Sequence, residues 1–466
     1  MRPTVAPGAA PPWWLEDAFA AEGGRVDAEA LAGDVTADVA IVGGGYTGLW
    51  TALGVLEREP TADVVVLEAA FCGAGPSGRN GGFVEGYWPA LAELAALFGA
   101  ERAVRLATAG EAIRPAIRAL GEDVWLRESG MLMVATTPSQ ERVLDRALVA
   151  AAAAGRPEQA VALDRDAVAE RCRSPRFRRG VLFPDTGTLH PGRLVRALRR
   201  VALARGVRLY EGTRADACEP GSVTTPRGRV RAEQVVVATN AAITDWRPVR
   251  GRLTVFGSYV VLTEPAPQLL AEIGWTGGEA IVDARMFLHY SRTTEDGRVL
   301  MGSGSGPIGY SNRIDRRFTH DAATAARAEL GLRRLLPGLA AARVERSWGG
   351  PIDVSADHIP FVGTVRGGGV HFAAGFSGNG VGPSYLAGQA LASLATGRDD
   401  EWAALPLVRA RGDGVPPEPV RYAGGAAIRR AILACEEADE AGRTPPLAAR
   451  AVSTLPRLLG MRLGTR

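Results

Sequence analysis

Thr36-Ala-Asp-Val-Ala-Ile-Val-Gly-Gly-Gly-Tyr-Thr-Gly48 is the stretch that decides how this 466-residue chain is read. Val39-Ala-Ile-Val42 is an apolar run of the length of a buried parallel strand. It leads into Gly43, Gly45 and Gly48 at G-x-G-x-x-G spacing. Leu49 to Arg58 follows without proline, with Leu49, Ala52, Leu53 and Leu56 along one helical stripe. Strand, glycine turn and helix in that order aim the free N–H groups of a helix N-terminus at a pyrophosphate. Gly43 permits the tight turn, Gly45 the approach of phosphate to backbone, and Gly48 the packing of helix on strand, with Tyr46 and Thr47 between them. A second apolar run, Val64-Val-Val-Leu67, ends at Glu68, 20 residues past Gly48, where the acid that holds a ribose hydroxyl is expected. The register predicts a dinucleotide site, and the acid favours NAD or FAD over NADP.

Outward from this core, Ala69 to Gly82 holds Gly75, Ser77, Gly78, Arg79, Asn80, Gly81 and Gly82, a composition that predicts a loop able to wrap closely round a ligand. Arg79 is placed to meet phosphate or another negative charge. Pro89 to Leu120 and Pro138 to Ala154 carry helical periodicity, with a break or kink expected at Pro115. A strand is expected at Met131 to Ala135 and a basic amphipathic helix at Arg193 to Arg205. Glu233 to Asn240 reads as a buried strand ending in the polar turn Ala238-Thr239-Asn240, so the dinucleotide domain resumes there after an insertion. Gly251 to Thr263 and Ala280 to Gly302 alternate as sheet strands, with Asp296-Gly297 as a hairpin turn. Tyr290 and Arg292 fall on one face there, and His289 and Ser291 on the other. Val370 to Ala374, the turn Gly375 to Gly382 and the helix Tyr385 to Ala395 repeat the strand, glycine turn and helix order. Ile428 to Glu440 and Leu447 to Leu463 read as tail helices packed on the body. Trp13 and Trp14 are expected to dock the N-terminal lead-in.

Composition narrows the classes. A net charge of +3 is small for this length and argues against a nucleic-acid binder. The strong basic side chains are all Arg, with no Lys, which removes Schiff-base lysines and the Walker-A loop. Cys72, Cys172, Cys218 and Cys435 show no C-x-x-C or zinc spacing, so a reduced, cytoplasmic setting is expected. No signal peptide is read over Met1 to Pro12, and no run reaches the roughly 18 apolar residues of a membrane span.

With these residues in view, the chain resembles the FAD-dependent oxidoreductases of the D-amino-acid oxidase or glycine oxidase type, and within them the γ-glutamylputrescine oxidase-like branch. The resemblance rests on A-D-V-A-I-V-G-G-G-Y-T-G-L-W (37 to 50), L-E (67 to 68), G-P-S-G-R-N-G-G (75 to 82), H-P-G-R-L-V-R (190 to 196) and V-V-A-T-N-A (236 to 241). Further on it rests on W-G-G-P-I-D-V-S-A-D-H-I-P-F-V-G (348 to 363) and G-F-S-G-N-G-V-G-P-S (375 to 384). It implies an α/β chain, a Rossmann-type FAD-binding domain with an interleaved β-rich (α+β) substrate domain. On this reading 1–34 is a lead-in, 35–88, 155–246 and 345–405 form the FAD domain, 89–154 and 247–344 the substrate domain, and 406–466 a helical tail. The resemblance implies that loop 75–82 lies along pyrophosphate and flavin. It also implies that Ser377, Gly378, Asn379, Gly380 and Val381 face the flavin N1/O2 edge, and that Ala215 meets adenine. Ala69, Ala238, Thr239, Asn240 and Gly349 complete the expected cofactor set.

Relatives with covalent flavin use a Cys near the Trp348 segment or a His near Arg79. This chain has neither, so non-covalent FAD is expected. Many amine oxidases hold a lysine near flavin N5 for reaction with oxygen; its absence leaves a dehydrogenase open. The expected function is oxidation of a C–N bond in a small amine or amino acid to an imine that water hydrolyses, with electrons passed to oxygen or an electron carrier. His289, Tyr290 and Arg292 are the candidate catalytic residues; the plain alternative is strand residues with Arg292 in a surface ion pair. The rival functions are an NAD-dependent dehydrogenase and a flavin-containing scaffold protein.

Overall fold

The computed structural model describes residues 11–409 and 414–458. The start of the lead-in (1–10) and the end of the expected last helix (459–463) lie outside them. Within them two eight-stranded sheets organise the chain. In the first, six strands lie in the order Phe361–Thr364, Val370–Ala374, Gly228–Val237, Val35–Val42, Val64–Leu67, Arg208–Tyr210, parallel except the first, and Ser222–Thr225, then Ala217–Glu219, add antiparallel beside Gly228–Val237. Alternation along Val39-Ala-Ile-Val42 explains how it is covered on both faces. Val39 and Ile41 pack beneath Leu49 and Leu53 of helix Tyr46–Arg58, while Ala40 and Val42 join Val235, Val237 and Phe372 opposite. Helix Val381–Ala395 packs beside Tyr46–Arg58. Val42 is level with Leu67 and Val237, so the glycine turn and the turn after Val237 leave the sheet at one end.

The second sheet is mixed, in the order Val344–Ser355, Leu253–Thr263, Val299–Ser303, His289–Thr293, Ala280–Asp283, Met131–Val134, Gly180–Phe183, Val161–Leu163. Three of these strands, Val344–Ser355, Gly180–Phe183 and Val161–Leu163, come from stretches expected in the FAD domain. Gly180–Phe183 takes the free edge of Met131–Val134 and passes its own to Val161–Leu163. Val344–Ser355 runs antiparallel along the whole of Leu253–Thr263, with Trp348 opposite Val260. The hairpin at Asp296-Gly297 joins His289–Thr293 to Val299–Ser303 as expected. The break expected at Pro115 is present one turn before it: Ala100–Gly110 ends and Ile113–Ala119 begins across Glu111-Ala112, where Pro115 has no N–H to offer the Glu111 carbonyl. A further break falls at Gly99, with φ of +84°, between Leu91–Phe98 and Ala100–Gly110.

Helix Trp13–Ala21 packs on Pro191–Ala204 with Trp14 and Leu15 fully buried, which is the docking expected of the two tryptophans. Among the described residues no helix is long and apolar enough to cross a membrane.

Candidate functional site

The glycine turn is as tight as its spacing demands. Gly43 has φ of +120°, and a Cβ there would lie 2.3 Å from the Ala238 carbonyl oxygen. A Cβ on Gly48 would lie 1.9 Å from the Gly43 oxygen. Helix Tyr46–Arg58 starts at Gly45, which has no side chain to cap it, and the Tyr46 N–H donates to Ser77 Oγ at 3.0 Å. Glu68 accepts from the Gly44 N–H (2.8 Å) and the Ala70 N–H (2.9 Å), which uses part of its acceptor capacity and fixes its direction. These elements enclose a cavity of about 170 Å³ lined by Gly43, Gly45, Tyr46, Thr47, Glu68, Ala69, Gly75, Ser77, Ala215, Ala238, Thr239 and Asn240.

A second cavity, of about 290 Å³, adjoins the first and shares Pro76, Asn80, Ile352, Gly378, Gly380 and Val381 with it. Its other walls include Arg79, Gly81, Gly82, Ser377, Asn379 and Tyr290. Helix Val381–Ala395 begins here at Gly380, again without a side-chain cap, so two positive helix ends face one continuous space. Arg79 is buried, donates to the Ala74 oxygen at 3.1 Å and has no carboxylate in ion-pair range among the described residues; burial lowers it to about 10. Asn240 Oδ1 is buried with no hydrogen-bond partner among them. Asn240, His358 and Ser377 hold positive φ, so backbone strain gathers at these walls. Asp353, pushed up to about 7 by burial, accepts from the Gly375 N–H (2.6 Å) and Asn240 Nδ2 (2.9 Å) and so locks the two turns together. Uncapped helix ends, a glycine cradle, a buried cation and an orphaned acceptor fit an elongated anionic dinucleotide whose ring end enters the larger cavity.

Five of the expected residues line neither cavity. Gly48 and Gly78 serve packing, since a Cβ on Gly78 would meet the Gly73 oxygen at 2.4 Å. Gly349 faces Tyr259 across the sheet, and its neighbour Gly350 takes the cavity side. His289 lies on the far face, its Nδ1 3.1 Å from Asp283 Oδ2 and its ring against Gly331. Arg292 shares the face of Tyr290 but ends behind the 79–82 loop, not at the surface. It is 1% exposed, donates to the oxygens of Leu189, Gly82 and Thr293, and lies over the Trp14 ring. Burial, with Arg127 adding to it, lowers its guanidinium to about 9. Of the catalytic candidates Tyr290 alone reaches the cavity, its hydroxyl 2.9 Å from Ser258 Oγ and its ring over Gly302, where a Cβ would be 2.0 Å away.

The largest contribution that sequence reasoning missed is helix Val420–Glu440, which closes the larger cavity with Val420, Gly424, Ile428 and Ile432 at four-residue intervals and Arg421, Gly425 and Arg429 beside them. Carboxylates pin it at both ends. Glu418 accepts from the Ser311 N–H (2.9 Å) and pairs with Arg421 (2.7 Å). Glu436 accepts from the Met286 N–H (2.7 Å), Asp439 from the hydroxyls of Thr137 and Ser139, and Glu440 pairs with Arg285 and Arg334. The available signal was the i, i+4 apolar spacing, which shows that a helix buries a face without showing against what.

Comparison with known proteins follows this geometry. The family model described as "DAO: FAD dependent oxidoreductase" matches residues 38–394. The chain is 31% identical over 421 residues to a protein of Rhizobium meliloti (strain 1021) named probable oxidoreductase OrdL, covering 86% of this chain and 91% of that one. It is 31% identical over 389 residues to the γ-glutamylputrescine oxidoreductase of Escherichia coli (strain K12), covering 80% and 87%. Among solved structures, glycine oxidase from Geobacillus kaustophilus superposes with a TM-score of 0.66 at 24% identity, over 80% of this chain and 99% of that chain. L-proline dehydrogenase from P. horikoshii does so at 0.66 and 20% identity, over 81% and 96%. At these identities the structures speak for the fold.

Proposed function

The chain belongs to the DAO family of FAD-dependent oxidoreductases, and on that footing we propose that it oxidises a C–N bond of a small amine or amino acid to an imine, which water hydrolyses to a carbonyl compound and the released amine or ammonia. The observation that carries this reading is the continuity of the two cavities: a dinucleotide cradle opens through Gly378, Gly380 and Val381 into a largely apolar chamber. The likeness to a γ-glutamylputrescine oxidoreductase supports the amine as the group oxidised.

Gly43, Gly45 and the start of helix Tyr46–Arg58 would hold the pyrophosphate, Glu68 a ribose, Ala215 the adenine side, and Arg79 with the 377–381 turn the ring end. Bound FAD supplies the acceptor for the hydride equivalent and the route of electrons to oxygen or to an electron carrier. The protein's part is orientation and desolvation. Met131, Met133, Phe256 and Met286 keep water from the chamber. A buried amine is thereby held in its neutral form, with its lone pair free. The Tyr290–Ser258 hydroxyl pair can hold that nitrogen in place from the sheet. FAD is held without a covalent bond: Cys72 lines neither cavity, and burial beside Glu211 raises its thiol well above the usual range. All four cysteines are free, as a reducing cytoplasm would keep them.

The test is the visible spectrum of the purified protein before and after anaerobic mixing with a panel of amines and amino acids. Bleaching of the flavin bands by one of them, and recovery in air or with an added electron acceptor, is the expected result. A flavin that none of them bleaches overturns the reading.

A further inference from the structure

The chamber contains a cation without a carboxylate in ion-pair range among the described residues. Arg429, half-buried on helix Val420–Glu440, lines the larger cavity and donates through Nε and Nη2 to one acceptor, the carbonyl oxygen of Ser305. Arg327 donates to the same oxygen, so two guanidinium groups converge on one carbonyl. Among the described residues no carboxylate lies within ion-pair distance of either. Asp321, near enough to be felt, is taken by the Thr324 hydroxyl. The neighbouring Arg421 differs, being neutralised by Glu418. Glu436, Asp439 and Glu440 on this helix likewise meet donors on the body, which sets Arg429 apart.

Its position sets what it can bind. No residue of Val420–Glu440 lines the dinucleotide cavity, and the junction between the two cavities is made by Asn80, Gly378, Gly380 and Val381. A substrate that reacts at the junction and reaches Arg429 spans a chamber whose walls include the apolar Met286, Val420 and Ile428. We propose that Arg429 seats a carboxylate carried by the substrate at the end remote from the reacting C–N bond. The substrate class is then a chain-like amino acid with apolar methylenes between amine and carboxylate. This rests on the amine-oxidation reading of the same chamber. It assigns specificity to a segment beyond residues 38–394, the part matched by the family model.

The test uses the holoenzyme and two unreactive probes of equal length, hexanoate and hexanamide, titrated by calorimetry and by perturbation of the flavin bands. Hexanoate is expected to bind about 10- to 100-fold tighter than hexanamide, the range of a charge-assisted hydrogen bond. Arg429→Gln brings the two dissociation constants together, and Arg429→Lys narrows the ratio without closing it. The proposal is overturned if the ratio in the parent is near one, or if it survives Arg429→Gln. Should Arg429→Gln fail to fold, an unchanged ratio in Arg429→Lys is the overturning result. In parallel, ε-aminohexanoate is compared with hexylamine for anaerobic bleaching. If neither bleaches while the hexanoate ratio holds and depends on Arg429, the carboxylate seat stands and the amine-oxidation reading falls.

Discussion

Gly48→Ala tests the cofactor cradle where the structure leaves least room. The added methyl would lie 1.9 Å from the Gly43 oxygen and 3.3 Å from Ile41 Cγ2, against an ordinary contact of 3.4 Å or more, so about 1.5 Å of movement is required. The helix cannot supply it by backing away. Helix Val381–Ala395 presses on its other side, with Gly388 so close that a Cβ there would be 2.6 Å from Trp50 Cβ. The turn must yield instead, and it is pinned by the Gly43 N–H on the Leu67 oxygen at 2.8 Å. Overpacking of this kind costs about 1–3 kcal/mol of stability. Displacing the N–H groups at the helix start by about 1 Å takes them outside hydrogen-bond range of a phosphate. That loss is worth about 1.5–3 kcal/mol for a charged acceptor, or about 10- to 100-fold in FAD affinity. Titration of apoprotein with FAD, followed by quenching of flavin fluorescence, measures it, with urea unfolding of the apoprotein alongside. A folded Gly48→Ala chain that binds FAD within about twofold of the parent would refute the assignment of this turn as the pyrophosphate cradle.

Three further outcomes follow from the same geometry. Asp353 and Glu436 are both pushed up to about 7, chiefly by burial, Glu436 against the pull of Arg285 and with Asp283 adding to the rise. Unfolded carboxyls titrate near 4, so the folded chain holds more protons from about pH 4 to 7, and stability is greatest at the acid end of that window and declines as pH rises through 7. For Glu436 the loss between about pH 5.5 and 8 is about 2 kcal/mol. Glu436→Gln, which keeps an oxygen for the Met286 N–H, removes that share of the slope in urea titrations, and an unchanged slope contradicts it. Gly424→Ala, with open space at its Cβ, raises stability by about 1 kcal/mol and narrows the chamber by a methyl; a lower urea midpoint is the contrary result. Trp14→Ala empties a fully buried site and frees the Asn80 carbonyl that the indole N–H holds at 3.0 Å. It costs about 3–5 kcal/mol, and a loss under about 1 kcal/mol in urea unfolding would show that the N-terminal helix is not part of the core.

The tight glycine turn was legible because its constraints are local. Val39 to Gly48 and Glu68 need no knowledge of distant chain: period-2 alternation buries the strand, and glycine is required where the Gly43 oxygen meets the helix. The choice of FAD over NAD was not local. An acid after the second strand serves either ribose, and it took the motifs at 75–82 and 375–384, and then the family match over 38–394, to decide it. Arg292 stops short of the cavity for the converse reason. Alternation placed it correctly on the face of Tyr290, but that face is closed at the Arg292 end by Trp14, far off in the sequence, and by the carbonyls of Gly82 and Leu189.

The same division accounts for the larger cavity. Val344–Ser355 reads as a strand in isolation, yet nothing in its residues selects the second sheet over the first; that choice is made by the full-length pairing with Leu253–Thr263. Helix Val420–Glu440 reads as an amphipathic tail, and its apolar spacing is that of any helix packed on a body. What marks it as a chamber wall is the set of carboxylates on Glu418, Glu436, Asp439 and Glu440, each answering a donor on another element, which leaves Arg429 turned to the cavity without a carboxylate. A cofactor site repeats a fixed ligand's demands on the backbone and can be read from spacing. A substrate site is defined by which charges the fold leaves unanswered, and that is visible only after every pairing has been made.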